Sequence, residues 1–385
     1  MRILVGVHDG GSSGISTYAV EVALAAARSG HQVTLLSAEA ATAAEQRLAL
    51  EPRGIEVWDL GLKPMGGTAA NATRMWPGLA MHRLAEGLRA APLPRGGYDL
   101  FHLNHPALAP AARRFARRIS AGAWFHPHAL GARLAATWRH TGGPWPRRAA
   151  LAAKSISHHL NDRRGYPACD RVLTPTEQLA GNLRRCGVPA VNCPPPVSAA
   201  FPAEGAGPGA SDGPSRLAIC AADLDHPRKN IGAAVRAACL LAARRPLELD
   251  LIGDGGRSFE RELAGAPCSL RVTRRGRLPA AEARERFRAA DVLVVPSLFE
   301  EWGYVAVEAL LCGTQVAALP VYPFAEMLRE PLGVRARTPS DSDLASAIAS
   351  LLDRRHEREL VSRVADQRFG ADSVGELMCR IWAEL

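Results

Sequence analysis

Between Asp291 and Gly313 the chain commits to one local architecture. Asp291 to Val295 is a short, β-branched apolar run, which reads as a strand buried on both faces of a parallel sheet. A loop follows from Pro296 to Gly303, and then an apolar stretch that stops at Cys312-Gly313, which reads as a buried helix with a glycine C-terminus. Two carboxylates, Glu300 and Glu308, lie eight residues apart in this segment. Glu300 falls in the loop at the carboxyl end of the strand, where open α/β sheets bind ligands. Glu308 lies between Val307 and Ala309, and a carboxylate in such apolar company needs a partner. Sugar hydroxyls, which come in pairs, would serve. Taken alone, the spacing fits equally well a solvated loop glutamate and a helix glutamate salt-bridged to a neighbour.

The same alternation fills the rest of the chain. Arg2 to Val7, Gln32 to Ser37, Gly54 to Trp58, Asp99 to Asn104, Ala123 to Phe125 and Arg171 to Thr174 read as strands, with helical periodicity over Ser16 to Arg28 and Met81 to Ala90. Residues 202–215 are rich in proline, glycine and serine and form the clearest linker. Beyond them come strands at Leu217 to Cys220, Glu248 to Ile252, Ser269 to Thr273, Asp291 to Val295 and Gln315 to Leu319, separated by helices at Ile231 to Ala243, Pro279 to Ala289 and Tyr304 to Leu311. The fold expected is α/β, with two Rossmann-like domains facing a cleft. The expected divisions are an amino-terminal domain over 1–201, a linker over 202–215, a second domain over 216–368, and a segment over 369–385 whose helix returns to the first domain.

Bulk properties remove several classes of function. No apolar run in the 385 residues approaches the ~20 needed to span a bilayer. The amino terminus leads straight into a glycine turn without a signal peptide's apolar core, so a cytoplasmic protein is expected. Eight cysteines are scattered without a C-x-x-C pair and read as reduced. The net charge of +9 is almost all arginine, with lysine only at Lys63, Lys154 and Lys229, and no aromatic residues interleave as a nucleic-acid platform requires. His126 and His128 form an H-x-H pair without a third zinc ligand at sensible spacing, and no serine–histidine–acid order or catalytic cysteine emerges.

Other candidate residues sit in turns at strand ends. Gly10 to Gly14 precede a helix amino terminus, a ready anion site, although G-x-G-x-x-G does not occur. Arg228 and Lys229 follow the first strand of the second half, Gly253 to Gly256 the second, and Arg275-Gly276-Arg277 the third. With these, the run Pro296-Ser297, Glu300, Gly303, Glu308-Ala309 and Gly313 closely resembles the donor-site signature of family 4 retaining glycosyltransferases of the GT-B fold. The resemblance is strong over residues 216–320 and looser in the amino-terminal half.

The resemblance implies transfer of a sugar from a nucleotide-diphosphate sugar, UDP-linked in the common case, with retention of anomeric configuration. No bound cofactor, no metal and no nucleic-acid partner are implied. Lys229 and Arg228 would bind the diphosphate, Glu300 the sugar hydroxyls and Glu308 the ribose. Trp302, Gly303 and Tyr304 would offer backbone to the phosphates, while Gly253 and Gly276 would lie against the nucleotide. Ser13, standing where the family carries glycine, and Gly14 would cap the diphosphate, and His128 would touch the transferred sugar. One position departs from the pattern: the family carries arginine six residues before the lysine, and this chain has Asp223. An aspartate there must turn from the phosphates, pair with a cation such as Arg228, or serve a ligand amine or hydroxyl. The acceptor implied is a soluble small molecule, such as a natural-product aglycone or aminocyclitol, or a growing polysaccharide. Two alternatives stay open: a nucleotide-sugar-binding protein without activity, and a peripheral membrane enzyme with a lipid acceptor, drawn to anionic lipid by Arg113 to Arg118.

Overall fold

The computed structural model describes residues 1–6, 14–62, 77–90, 97–104, 109–118, 122–125, 165–198, 213–354 and 357–384. The chain forms two compact units, Met1–Pro196 with Ala371–Leu385, and Val197–Gly370.

The first unit is built on seven strands, β1 (Arg2–Gly6), β2 (Gln32–Glu39), β3 (Ile55–Leu62), β4 (Leu100–Leu103), β5 (Gly122–Phe125), β6 (Arg171–Thr174) and β7 (Ala190–Asn192). All neighbours are parallel, in the order β3-β2-β1-β4-β5-β6-β7. The helices are α1 (Gly14–Arg28), α2 (Ala40–Leu50), α3 (Pro77–Ala90), α4 (Ala109–Arg118) and α5 (Glu177–Arg185). Helix α2 has no counterpart in the sequence reading. Its core side is Ala43 and Leu50, while Leu48 points to solvent, so alanine carries a periodicity that large side chains usually announce.

The second unit has six parallel strands, β8 (Ser215–Asp223), β9 (Leu247–Asp254), β10 (Leu270–Gly276), β11 (Val292–Val295), β12 (Gln315–Ala318) and β13 (Gly333–Arg335), in the order β10-β9-β8-β11-β12-β13. Its helices are α6 (Ile231–Ala242), α7 (Glu260–Ala264), α8 (Ala280–Ala289), α9 (Tyr304–Leu311), α10 (Phe324–Met327), α11 (Asp341–Asp353) and α12 (Arg358–Phe369). The two-residue period of the strands sorts the core into two layers. Leu217, Ile219, Leu249, Leu251, Val292 and Val294 pack under α6 and α11. Ala218, Ile252, Leu293, Val295 and Val316 face the opposite way, toward α8, α9 and α12. Apolar residues on both sides are why β11 reads as an unbroken Val-Leu-Val-Val run.

The last helix, α13 (Ala371–Ala383), belongs to the first unit. It packs on α1, where a Cβ at Gly375 would stand 3.1 Å from that of Ala25. Arg28 pairs with Asp372 at 2.8 Å, and the buried Trp382 ring meets the edge of His102 at 5.9 Å. Among the described residues no helix is long and apolar enough to cross a membrane.

Each sheet reverses its winding beside its first strand, between β1 and β4 and between β8 and β11. Such switch points open a crevice outside the strand carboxyl ends, where ligands bind. The loops flanking the first, 7–13 and 105–108, lie outside the described residues. Those flanking the second are described in full.

Candidate functional site

The loop leaving β8 is short and strongly shaped. After Asp223 the chain tucks Leu224 into the core and makes a single 3-10 turn, Pro227–Lys229. Pro227 suits the start of such a turn, where a missing N–H costs nothing. The His226 ring accepts the Arg228 N–H at 3.2 Å. Asn230 ends the turn in the left-handed region (φ 52°, ψ 39°), and α6 begins at Ile231.

The loop leaving β11 turns back at Gly303, whose φ of 94° favours glycine and where a Cβ would press the Phe324 ring at 3.1 Å. Trp302 is buried with its ring edge-on to Phe369 at 5.4 Å. Its side chain is therefore core, and only its backbone is placed to meet a ligand. Tyr304 is the first residue of α9, and Glu308 follows one turn later, half-buried. The thiol of Cys220 on β8 registers the neighbourhood: burial pushes it up to about 12, with Glu308 adding to the rise and Lys229 opposing it.

The two loops meet at Glu300. Its carboxylate is buried and accepts from Lys229 Nζ at 2.6 Å, Ser297 Oγ at 2.8 Å and Arg228 Nη1 at 3.0 Å. Burial alone would raise this carboxyl, but the charges of Lys229 and Arg228 and the bonds from Lys229 and Ser297 outweigh it and hold the group below its ordinary value of 4.5. Backbone bonds run alongside: Leu298 N–H donates to the Arg228 carbonyl at 2.9 Å, Arg228 Nη1 to the Phe299 carbonyl at 2.9 Å, and Asn230 Nδ2 to the Pro296 carbonyl at 3.2 Å. The sequence reading gave the two cations to phosphate and Glu300 to sugar. Here all three form one ion-paired cluster, completed by Ser297, named before only as part of the signature, and by Asn230, which had been given no role. An asparagine immediately after the lysine and before an apolar helix was the available signal for a left-handed cap.

The third wall is the loop after β9. Gly253, Gly255 and Gly256 all have positive φ, and a Cβ on Gly253 would lie 1.7 Å from the Ala221 carbonyl oxygen. Asp225 staples this loop by accepting the amides of Gly256 at 3.0 Å and Ser258 at 2.7 Å. Gly276, with φ 66°, ends β10 in the open, and Arg275 and Arg277 beside it pair with Asp250 and Asp254. Asp223 is exposed and accepts the Asp225 N–H at 2.9 Å. It makes no ion pair with Arg228, whose Nη1 instead meets Glu300 and the Phe299 carbonyl, so the pairing allowed for in the sequence is not formed.

Of the remaining candidates, Gly14 opens α1, and Ser13 and His128 lie outside the described residues. Asp341 and Asp343 form the first turn of α11, where Arg236 holds the former and Thr338 the latter. Arg113 on α4 reaches the Ala168 carbonyl and Asp170. A buried pair unforeseen in the sequence, Tyr18 Oη and His102 Nε2 at 2.8 Å, lies between α1 and β4. Complete burial lowers the His102 ring to about 3, so it is neutral at physiological pH.

Comparison with known proteins bears on the same two halves. Residues 13–194 match the family model described as glycosyl transferase 4-like domain, and residues 215–354 the one described as glycosyl transferases group 1. A D-inositol 3-phosphate glycosyltransferase of Paenarthrobacter aurescens is 35% identical over 139 residues, 34% of this chain and 34% of that enzyme. A 2-deoxystreptamine glucosyltransferase of Streptomyces kanamyceticus is 36% identical over 124 residues, 31% of this chain and 32% of that enzyme. The aligned part is thus about a third of each relative's length. Among solved structures, sucrose-phosphate synthase from Thermosynechococcus elongatus superposes with a TM-score of 0.74 over 100% of this chain and 98% of its own, at 18% identity. Anabaena HepE in complex with UDP and glucose gives 0.65 over 100% of both chains, at 16% identity. The chain belongs to the family 4 glycosyltransferases and has their GT-B fold.

Proposed function

We propose that this chain transfers a hexosyl group from a UDP-sugar to a hydroxyl of a small cyclitol-type acceptor. The observation that carries the donor half is the Arg228–Lys229–Glu300–Ser297 cluster at the switch point between β8 and β11. The ammonium of Lys229 spends one N–H on Glu300, and Arg228 spends only Nη1. The remaining N–H groups are donors for diphosphate oxygens, and the planar guanidinium fork suits them. Glu308, one turn into α9, takes the ribose hydroxyls. The acceptor half draws support from relatives named for an inositol phosphate and for 2-deoxystreptamine, both polyhydroxylated rings. The neighbour solved with UDP and glucose supports the uridine donor.

In this reading the acceptor oxygen attacks the anomeric carbon from the face the diphosphate leaves. A new carbon–oxygen bond forms, the bond to the diphosphate breaks with its electron pair, and the hydroxyl proton passes to the departing phosphate oxygen. Lys229 and Arg228 stabilise the charge that develops, so the protein's contribution is positioning and electrostatics. A lipid acceptor finds less support, because Arg113 is turned to Ala168 and Asp170. The test is product formation by mass spectrometry with UDP-glucose, UDP-galactose and UDP-N-acetylglucosamine against myo-inositol, inositol 3-phosphate and 2-deoxystreptamine, with and without EDTA. Transfer to a cyclitol that survives EDTA is expected. Activity abolished by EDTA and restored by manganese sinks the metal-independent mechanism, and transfer only to lipid or polysaccharide sinks the acceptor.

A further inference from the structure

Asn230 is the single non-glycine residue with positive φ among those described. Left-handed backbone is tolerated by asparagine better than by most residues, yet it still carries strain, and strain kept at one position is informative when the surrounding structure uses it. Here the use is visible. The left-handed turn lets the 3-10 turn Pro227–Lys229 stop and α6 start within one residue, so that Arg228 and Lys229 both face Glu300.

The side chain does unusual work for its position. An asparagine before a helix ordinarily accepts from the helix's first amides, but no such cap bond is formed here. Instead the amide reaches across to the Pro296 carbonyl at 3.2 Å. A carbonyl can only accept, so the group facing it is Nδ2. That bond spans the crevice between the loop after β8 and the loop after β11. Beside it, Leu298 N–H donates to the Arg228 carbonyl. Ser297, sandwiched between those contacts, is fully buried and fixes the same carboxylate the two cations bind.

We infer that Asn230 is a positioning residue of the donor site: its left-handed backbone and its bond to Pro296 hold the Arg228–Lys229 turn in register with the Ser297–Gly303 loop. It touches no ligand itself. Its role is to keep both cations at diphosphate distance before a donor arrives, which deepens the donor-site reading above and rests on it. Glu308, carried by α9, is not held by this clamp, so the ribose contact is independent of it.

That separation supplies the test. Asn230→Gly keeps the left-handed backbone and deletes only the cross-loop bond, and Asn230→Ala removes both. Titration with UDP and with uridine, melting temperature, and amide hydrogen exchange at Leu298 are measured for each variant. The expected result is a loss of UDP affinity of about tenfold in Asn230→Gly and more in Asn230→Ala, with uridine affinity unchanged and Leu298 exchange accelerated in the ligand-free protein. UDP affinity equal to the parent's, or UDP and uridine affinities falling together with the melting temperature, overturns the inference. If the parent chain binds no UDP at all, the donor-site reading fails instead. The exchange rate at Leu298 then still decides whether Asn230 clamps the loops: an unchanged rate refutes the clamp and a faster one upholds it.

Discussion

Glu300 satisfies two positive charges and a hydroxyl while almost wholly out of water, and this decides what its removal does. Taking one partner from a buried ion pair commonly costs ~3–5 kcal/mol, because the other charge is stranded. Here Lys229 and Arg228 keep side-chain exposures of 21% and 31%, so water recovers part of that cost and ~1–3 kcal/mol is the expected loss. Glu300→Gln therefore lowers the melting temperature but leaves a folded protein. It also frees both cations from their internal counter-charge, so the variant should bind UDP at least as tightly as the parent while transfer falls ~100-fold or more. Weaker UDP binding in a folded variant would show that Glu300 holds the cations in place rather than competing for them. Asp223 lies outside that cluster. It is exposed, accepts only the neighbouring Asp225 amide, and has Asp254 as its partner across the strand pair. Replacing it by arginine puts a cation between those carboxylates and near the cluster, so Asp223→Arg should fold and bind UDP with equal or up to about tenfold higher affinity. A collapse of activity with the fold intact would instead give the aspartate a ligand to hold.

At the scale of elements, the loop over Gly253 to Gly256 makes the most rigid demand. No rotation relieves a Cβ 1.7 Å from a carbonyl oxygen, and φ of 140° already excludes most side chains. Gly253→Ala should destabilise the second unit by ~3 kcal/mol or more and abolish UDP binding, whereas Gly276→Ala, with open space around the Cβ and φ of 66°, should cost only ~1 kcal/mol. Thermal melts and UDP titration of the two variants check this; equal behaviour would mean that the close approach at Ala221 relaxes. The same elements show what the sequence could carry. Strands with two-sided burial, such as β11, and helices with large apolar residues, such as α6 and α9, were legible because periodicity and glycine punctuation agreed. Helix α11 was passed over although Ser340 caps it and Leu344, Ile348, Leu351 and Leu352 repeat at helical spacing. Its Asp341 and Asp343 are first-turn acids, placed where the helix dipole favours them. The donor-site residues were legible one by one, as glutamates and a lysine in turns at strand ends. Their mutual pairing was not, because it depends on the lateral order of strands: β8 ends at Asp223 and β11 begins only at Val292, and the two are adjacent only once the sheet winds back on itself.

Many of the chain's arginines are ion-paired within the second unit. Arg216, Arg236, Arg245, Arg274, Arg275 and Arg277 all sit against carboxylates, exposed pairs of the kind that contribute ~0–1 kcal/mol each. Two buried groups, one in each unit, make the stability depend on acid. Glu300 is depressed below 4.5 in the fold, so its contribution is complete above that value and is lost as pH falls through the lower, folded value. His102 behaves with the same sign but in a higher window. Its folded value of about 3 lies below the ordinary 6.5, so below pH 6.5 the unfolded chain binds a proton that the folded chain refuses. Stability then falls by ~1.4 kcal/mol for each pH unit, reaching ~2 kcal/mol by pH 5. His31, lowered by burial and by the amino terminus, adds in the same direction. The melting temperature of the parent should therefore decline between pH 6.5 and 5, before Glu300 titrates at all. His102→Gln, which keeps a polar group against Tyr18 without a proton to gain, should flatten that decline even if its absolute stability is lower. Glu300→Gln should leave the slope between 6.5 and 5 untouched and flatten only the region below 4.5. Parallel melting curves for parent and His102→Gln from pH 7 to 5 would mean that the buried imidazole is reached by protons without unfolding.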